Sequence, residues 1–414
     1  MTSAEPPPVE RFRPADLERD WGRLRSTCPV SKTTTPDGTD VWLVTRYHDI
    51  RSVLGRQVFR VTPLDSDVST ETGEGNESIF QDPPEHTRLR GLVAGPFAVG
   101  RVGKYRAAIR AKADELIGAM LSSGEAIDIM ADFSKPLTMN VISDVVGVPG
   151  PDRAMFQRLS DQLLVPVSEA QGVVALEGWR QLNEYVRSLI AHRRRTAGGR
   201  GGDLLAHMIR VQKEDASLTD VELTTMVLGL PVAGYVSTAN AIAVAVRHLV
   251  EDKWLDELRV CPDRPALLKS FVEEVLRFQS GDNGESMPRF AAEDVRVCDE
   301  LIRKGDMVVA PLVAANRDDE LFDQPGSFDP RRPGLGRHLA FGFGIHRCLG
   351  ANLARLELQC AVAALVDSGL GFEMLESWDS VPWEVNMLGD RFPVRLLVSA
   401  WQTEYGTRNR ERTT

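Results

Sequence analysis

Apolar residues recur at helical spacing over most of the chain, and polar stretches between them are short. The pattern predicts helices over residues 81–91, 102–122, 151–163, 179–195, 218–250, 264–278 and 349–368. The longest is the best marked: Thr219 and Glu222 have the spacing of a capping box, and apolar residues continue to Val250. Pro231 is expected to interrupt it. Alternating, strand-like segments are few: 41–45, then 294–297 with 307–310, then a late pair, 372–376 with 394–399. The glycine-rich stretch 198–202 reads as a surface loop, after which Asp203 caps the apolar run 204–209. Together these predict a mainly α protein with small β-sheets, built as a single domain over residues 1–414. About 1–12 and 402–414 are expected to be flexible tails.

Composition narrows the class. With 43% hydrophobic and 26% charged residues, the 414-residue chain has ample material for a core. A net charge of −10 argues against nonspecific nucleic-acid binding, which needs a basic face. Neither a signal peptide nor a membrane span is read from the pattern. The five cysteines, Cys28, Cys261, Cys298, Cys348 and Cys360, are scattered and form no CxxC pair. That excludes a disulfide framework and a zinc site, and points to a reducing cytoplasm.

One cysteine has an informative neighbourhood. Cys348 closes the run Phe341-Gly342-Phe343-Gly344-Ile345-His346-Arg347-Cys348 and is followed by Leu349-Gly350. Glycines let backbone approach a flat object closely, and the helix expected next would point its positive end at the sulfur. Both favour a thiolate suited to a single metal whose other ligands come from elsewhere. A structural cysteine in a glycine-rich turn is the plainer alternative.

Taken whole, Phe341-x-x-Gly344-x-x-x-Cys348-x-Gly350 resembles the haem-binding signature of the cytochrome P450 family, and the likeness continues over nearly all the chain. Glu274-x-x-Arg277 is similar to the family's Glu-x-x-Arg motif, and Arg332 to the meander arginine that completes its network. The resemblance implies the cytochrome P450 fold and haem b with Cys348 as axial thiolate, the metal ligand. It implies Phe341, Gly342 and Gly350 as cofactor-binding neighbours. His86, Arg90, Arg289 and His346 match positions that hold the haem propionates; each alone would more often be a solvated surface residue. Thiolate ligation donates electron density that favours O–O cleavage.

The long central helix departs from the family pattern. Where the family has an Ala/Gly-Gly-x-acid-Thr-Thr run, this chain has Ala233-Gly234-Tyr235-Val236-Ser237-Thr238. Val236 stands at the acid position and cannot relay a proton; Ser237 replaces the threonine and can. An ordinary hydroxylase that relays protons through Ser237 and water is one reading. Oxidative C–C or C–N coupling of an aromatic, indole or cyclic-dipeptide substrate, without oxygen insertion, is another. A haem-containing binding or recruitment module without turnover is a third.

By position, substrate contacts are expected from Leu230 and Val232 and from the polar stretch carrying Asn283, Glu285 and Ser286. That stretch either faces solvent or meets polar groups of an amide- or amine-bearing compound. No flavin or nicotinamide segment is visible. The resemblance therefore implies dioxygen, a small natural-product substrate of secondary metabolism, and two electrons from a separate ferredoxin and its reductase. An acidic ferredoxin would need a basic face, for which Arg88, Arg337, Arg347 and Arg355 are candidates. A monomer with no nucleic-acid or membrane partner is expected.

Overall fold

The computed structural model of the chain describes residues 14–34, 38–64, 81–163, 169–196, 201–214, 218–279, 288–377, 383–384, 387–388 and 391–397. The chain divides into two compact units, each made of two stretches: 1–92 with 273–349, and 93–272 with 350–414.

The first unit holds α1 (Pro14–Thr27), β1 (Val30–Thr34), β2 (Asp40–Val44), α2 (Tyr47–Gly55), β3 (Phe59–Arg60) and nearly all of α3 (Glu85–Val93). Its second stretch adds β5 (Arg289–Ala291), β6 (Val295–Val297), β7 (Glu300–Ile302), β8 (Met307–Val309) and α13 (Leu312–Asn316). Five strands form one sheet in the order β1-β2-β8-β5-β3, with β2 and β8 parallel and the other pairs antiparallel. Residues Val41 to Val44 of β2 are all buried, as expected of a strand covered on both faces. On α2, Tyr47, Ile50, Val53 and Leu54 make one apolar stripe, and the unit's core joins it to Trp42, Val308, Ala314 and Leu339. The Tyr47 amide donates to Asp318 Oδ2 at 2.8 Å, so a distant carboxylate caps α2.

The second unit is helical. It contains α4 (Val99–Val102), α5 (Arg106–Ser123), α6 (Lys135–Val146), α7 (Arg153–Gln162), α8 (Glu169–Thr196), α9 (Leu204–Glu214), α10 (Asp220–Val250), α11 (Trp254–Val260) and α14 (Ala351–Asp367). The helix α12 (Arg264–Gln279) runs from this unit into the first. A small sheet, β4 (Ala126–Asp128), β12 (Pro393–Leu397) and β9 (Gly371–Met374), closes one side, and β10 (Trp383–Glu384) pairs with β11 (Met387–Leu388). The helices α6, α8 and α14 pack against α10, and α5 packs on α6 and α14; the buried residues of α10 include Leu223, Val227, Tyr235, Ala239, Ile242 and Val246. By length and apolarity α10 matches a membrane span, but most of its apolar stretch is buried within this unit.

The mainly α class with small sheets is as expected. The capping box is present in both directions: Thr219 Oγ1 accepts from the Glu222 amide at 3.1 Å, and Glu222 Oε2 accepts from the Thr219 amide at 2.8 Å. Asp203 does cap α9, accepting from the Ala206 amide at 2.8 Å. Other details differ. Pro231 does not interrupt α10; the helix continues through it, its packing offsetting the roughly 3 kcal/mol that a proline costs. The segment 294–297 does not pair with 307–310: β6 pairs with β7 across a turn at Cys298, while β8 joins the large sheet. The helix expected over 102–122 is split by a 3-10 turn at Gly103–Tyr105, and α8 starts ten residues earlier than its apolar pattern.

Candidate haem-binding site

The cysteine loop is shaped by its glycines. Gly342 and Gly344 take φ of +67° and +76°, the left-handed region open to glycine. A Cβ on Gly344 would lie 2.4 Å from the Leu54 carbonyl oxygen, so the loop is pressed against the end of α2. The Cys348 amide donates to the Phe341 carbonyl at 2.8 Å and closes the loop, leaving Cys348 exposed. Phe343 packs against Gly55 and lies under the Arg51 guanidinium, 4.5 Å from its ring centre. Arg90 donates to the Arg347 carbonyl and interacts electrostatically with Cys348. In the chain, α14 begins three residues after the cysteine, as the sequence pattern requires.

Beside the loop, four basic side chains gather: His86 and Arg90 from α3, Arg289 from β5, and His346 from the 3-10 turn Gly344–His346. The His86 and His346 rings stand 4.3 Å apart. His86 is buried, and among the described residues neither of its ring nitrogens has a hydrogen-bond partner. Burial, then the charges of His86 and Arg289, hold His346 down to about 4, against the opposing pull of Asp82. Burial followed by Arg90 lowers His86 as well. Burial also lowers Arg289 and Arg90, which nonetheless remain cations. Asp82 is already engaged: it accepts from Thr62 Oγ1, from the Val61 and Thr62 amides at 3.0 and 3.2 Å, and from Arg60 Nε at 3.2 Å. A mutually repelling basic cluster with orphaned ring nitrogens fits a ligand bearing carboxylates, and the cysteine loop beside it fits a thiolate-bound metal.

Behind the loop, Arg277 is fully buried and binds Glu274 through two bonds, 2.6 and 2.8 Å. It also donates to the carbonyls of Asn316, Pro325 and Ser327. Arg332 lies 3.5 Å from Glu274 and donates to the Ser327 and Gln324 carbonyls. The Asp329 amide donates to Glu274 at 2.8 Å. The three residues named from sequence thus fasten the end of α12 to the irregular chain before the cysteine loop. Asn316, buried, does a related task unnoticed in the sequence: its Oδ1 accepts from the Leu339 amide at 2.6 Å.

In the second unit, α10 presents Ala233, exposed, with Leu230, Val232, Gly234 and Ser237 partly so. Ser237 Oγ donates to the Ala233 carbonyl at 2.9 Å. Val236 and Thr238 are buried within the unit, so Ser237 is the polar group of this run that stays accessible. Asn283, Glu285 and Ser286 lie outside the described residues. Of the arginines considered for an electron donor, Arg347 and Arg337 are exposed, Arg88 pairs with Glu85 at 2.8 Å, and Arg355 belongs to the second unit.

Fold and site together define a haem-thiolate protein. Comparison with known proteins agrees: the family model for cytochrome P450 matches residues 263–369. The mycinamicin IV hydroxylase/epoxidase of Micromonospora griseorubida is 36% identical over 394 residues, covering 94% of this chain and 97% of the relative. The nocardicin C N-oxygenase of Nocardia uniformis subsp. tsuyamanensis is also 36% identical, covering 93% of this chain and 96% of its own. Among solved structures, SgvP, described as a thioether synthase in griseoviridin tailoring, matches with a TM-score of 0.84 and 32% identity over 95% of this chain and all of its own. The chain belongs to the cytochrome P450 family. It is a cytochrome P450 oxidoreductase with haem b held by a cysteine thiolate, and it oxidatively tailors small molecules of secondary metabolism.

Proposed function

We propose that the chain acts as one catalytic domain that inserts an oxygen atom from dioxygen into a macrocyclic, polyfunctional natural product. The observation that carries the cofactor assignment is the basic cluster His86, Arg90, Arg289 and His346 beside Cys348. When bound, the haem supplies dioxygen activation. The protein's own residues then have distinct tasks. Cys348 would supply the thiolate to the iron, with Phe341, Gly342 and Gly350 shaping its surroundings. The four basic groups hold the propionates, and Glu274, Arg277 and Arg332 keep the loop's support rigid. Ser237 is the distal hydroxyl that positions a proton; Ala233 and Gly234, having little side chain, leave room beside it, and Leu230 and Val232 contact substrate.

The substrate class is supported by relatives that include the mycinamicin IV hydroxylase/epoxidase and a 20-oxo-5-O-mycaminosyltylactone 23-monooxygenase, 32% identical. Electrons reach the enzyme from a separate ferredoxin and its reductase, and the protein works as a cytoplasmic monomer. Turnover of a panel containing mycinamicin IV and nocardicin C, under isotopically labelled dioxygen, tests the reading. One labelled oxygen in the product is expected. A product lighter by two hydrogens, with the label only in water, would overturn oxygen insertion and favour coupling. Coupling is the second reading because α10 lacks an acid at Val236 and because SgvP is described as a thioether synthase.

A further inference from the structure

Two carboxylates stand side by side on α12 and meet different partners. Glu274 is taken up by Arg277, Arg332 and the Asp329 amide. Glu273 Oε2 lies 3.0 Å from Nε2 of His338, three residues before Phe341 in the chain. The His338 side chain is 1% exposed and that of Glu273 12%. Setting a carboxylate against a buried imidazole costs desolvation on both sides, so for packing alone an apolar pair of similar volume would serve as well or better. The hydrogen bonds show what the polar pair achieves. His338 Nδ1 accepts from the Ala340 amide at 3.1 Å. A ring nitrogen that accepts carries no proton, so the proton of the neutral ring sits on Nε2 and is donated to Glu273. The carboxylate thus selects the tautomer whose Nδ1 can hold the backbone two residues on. To either side, the Leu339 amide donates to Asn316 Oδ1 at 2.6 Å and the Gly342 amide to the Leu339 carbonyl at 2.8 Å. The turn held in this way presents the Phe341 carbonyl, which accepts from the Cys348 amide at 2.8 Å. All of these residues belong to the first unit.

We infer that Glu273 and His338 form a carboxylate–imidazole couple that sets the position of Cys348. The inference rests on the haem-thiolate reading of the site. Both are positioning residues, acting on the sulfur through the turn 338–342. Arg277 fastens α12 to the carbonyls of Asn316, Pro325 and Ser327, whereas this couple fastens it to the last residues before the cysteine loop. Without the bond to the Ala340 amide, the Phe341 carbonyl is free to shift and Cys348 with it, and more of the haem is bound without its thiolate.

The test is the reduced carbon monoxide complex of the haem-loaded protein, read as the ratio of haem lacking the strongly red-shifted band to haem showing it. His338→Gln keeps a donor for Glu273 but offers no acceptor at the place of Nδ1. His338→Asn does the reverse, because an asparagine oxygen bonds its own backbone two residues on. His338→Gln and His338→Phe should raise the ratio about tenfold, the scale of one hydrogen bond lost to a buried group. His338→Asn should restore most of the loss, although it is the smallest of the three side chains and would be the worst if the ring only filled space. Hydrogen exchange over residues 338–342 of the haem-free protein is the second readout: faster than in the unmutated protein for His338→Gln, and close to it for His338→Asn. Unchanged ratios in the Gln and Phe variants would overturn the inference, as would an Asn variant as impaired as Gln by both readouts. If His338→Phe does not fold, the comparison of Gln with Asn decides alone. If the unmutated protein shows the band and the variants match it, only the couple fails; if the unmutated protein lacks it, the haem-thiolate reading fails and the couple with it.

Discussion

The surroundings of Cys348 and the middle of α10 solve opposite problems. Around the cysteine, side chains are arranged against their own comfort: two histidines 4.3 Å apart, two arginines and, among the described residues, no uncommitted carboxylate. Such a cluster makes physical sense only with an anion among it, so the residues themselves name the kind of ligand. The run Ala233–Thr238 is comfortable by itself. Its valine is buried, its serine is bonded to the preceding turn, and the helix passes through Pro231 without a break. Holding a cofactor demands several charges at fixed places, and each leaves a mark. Steering protons, the task proposed for Ser237, demands one hydroxyl and an ordered water, which leave few.

The contrast can be broken in order of expected effect. Glu274→Gln removes the charge facing fully buried Arg277 and should cost about 3–5 kcal/mol, read as a lowered denaturant midpoint even without haem. Arg289→Ala removes a charged partner of the propionates. It should cost about 1.5–3 kcal/mol of haem affinity, or roughly ten- to a hundredfold faster transfer of haem to an acceptor protein. Ser237→Ala should leave haem retention unchanged and reduce oxygenated product per NADPH about tenfold. If it loosened the haem instead, the division of labour between the two regions would be wrong. Thr219→Ala, at the start of α10, should cost about 1 kcal/mol of stability through loss of the helix cap, with no effect on haem spectra.

A pH dependence is the most diagnostic of the cluster. His346 is lowered by burial, His86 and Arg289 from 6.5 to about 4, so between those values the folded, haem-free protein binds fewer protons than the unfolded chain. Stability of that form should therefore rise as pH increases from about 4 to 6.5 and level off above. His346→Phe should flatten this slope. Haem loading should flatten it too, because propionates favour the protonated ring. A slope unaffected by either change would show that His346 is not part of a carboxylate site.

How much of this was legible in the sequence follows from the same physics. Cys348, Glu274, Arg277, His86 and Arg90 could be named because ligation and ion pairing require those residue types at set spacings. Asp82 lies in the stretch expected as a helix over 81–91 with nothing to mark a role, since only the fold shows Thr62 and Arg60 closing on it. Likewise nothing local marks Asn316, whose importance comes from burial. The strand pairing went astray because β2 and β8 meet in parallel across more than 260 residues of chain, whereas local alternation speaks only for neighbours. The π-helix at Ile129–Ser134 depends on packing beside α10 and on Asp128, which caps it through the Met130 and Ala131 amides; no apolar period announces it.

The central claim is that Cys348 supplies a thiolate to a haem whose carboxylates lie among His86, Arg90, Arg289 and His346. Its most direct test is the absorption spectrum of the reduced carbon monoxide complex in the unmutated protein and in Cys348→Ser. The account predicts the strongly red-shifted band of a thiolate-ligated haem in the first and its loss in the second. Retention of that band in Cys348→Ser, or its absence from the haem-loaded unmutated protein, would contradict it.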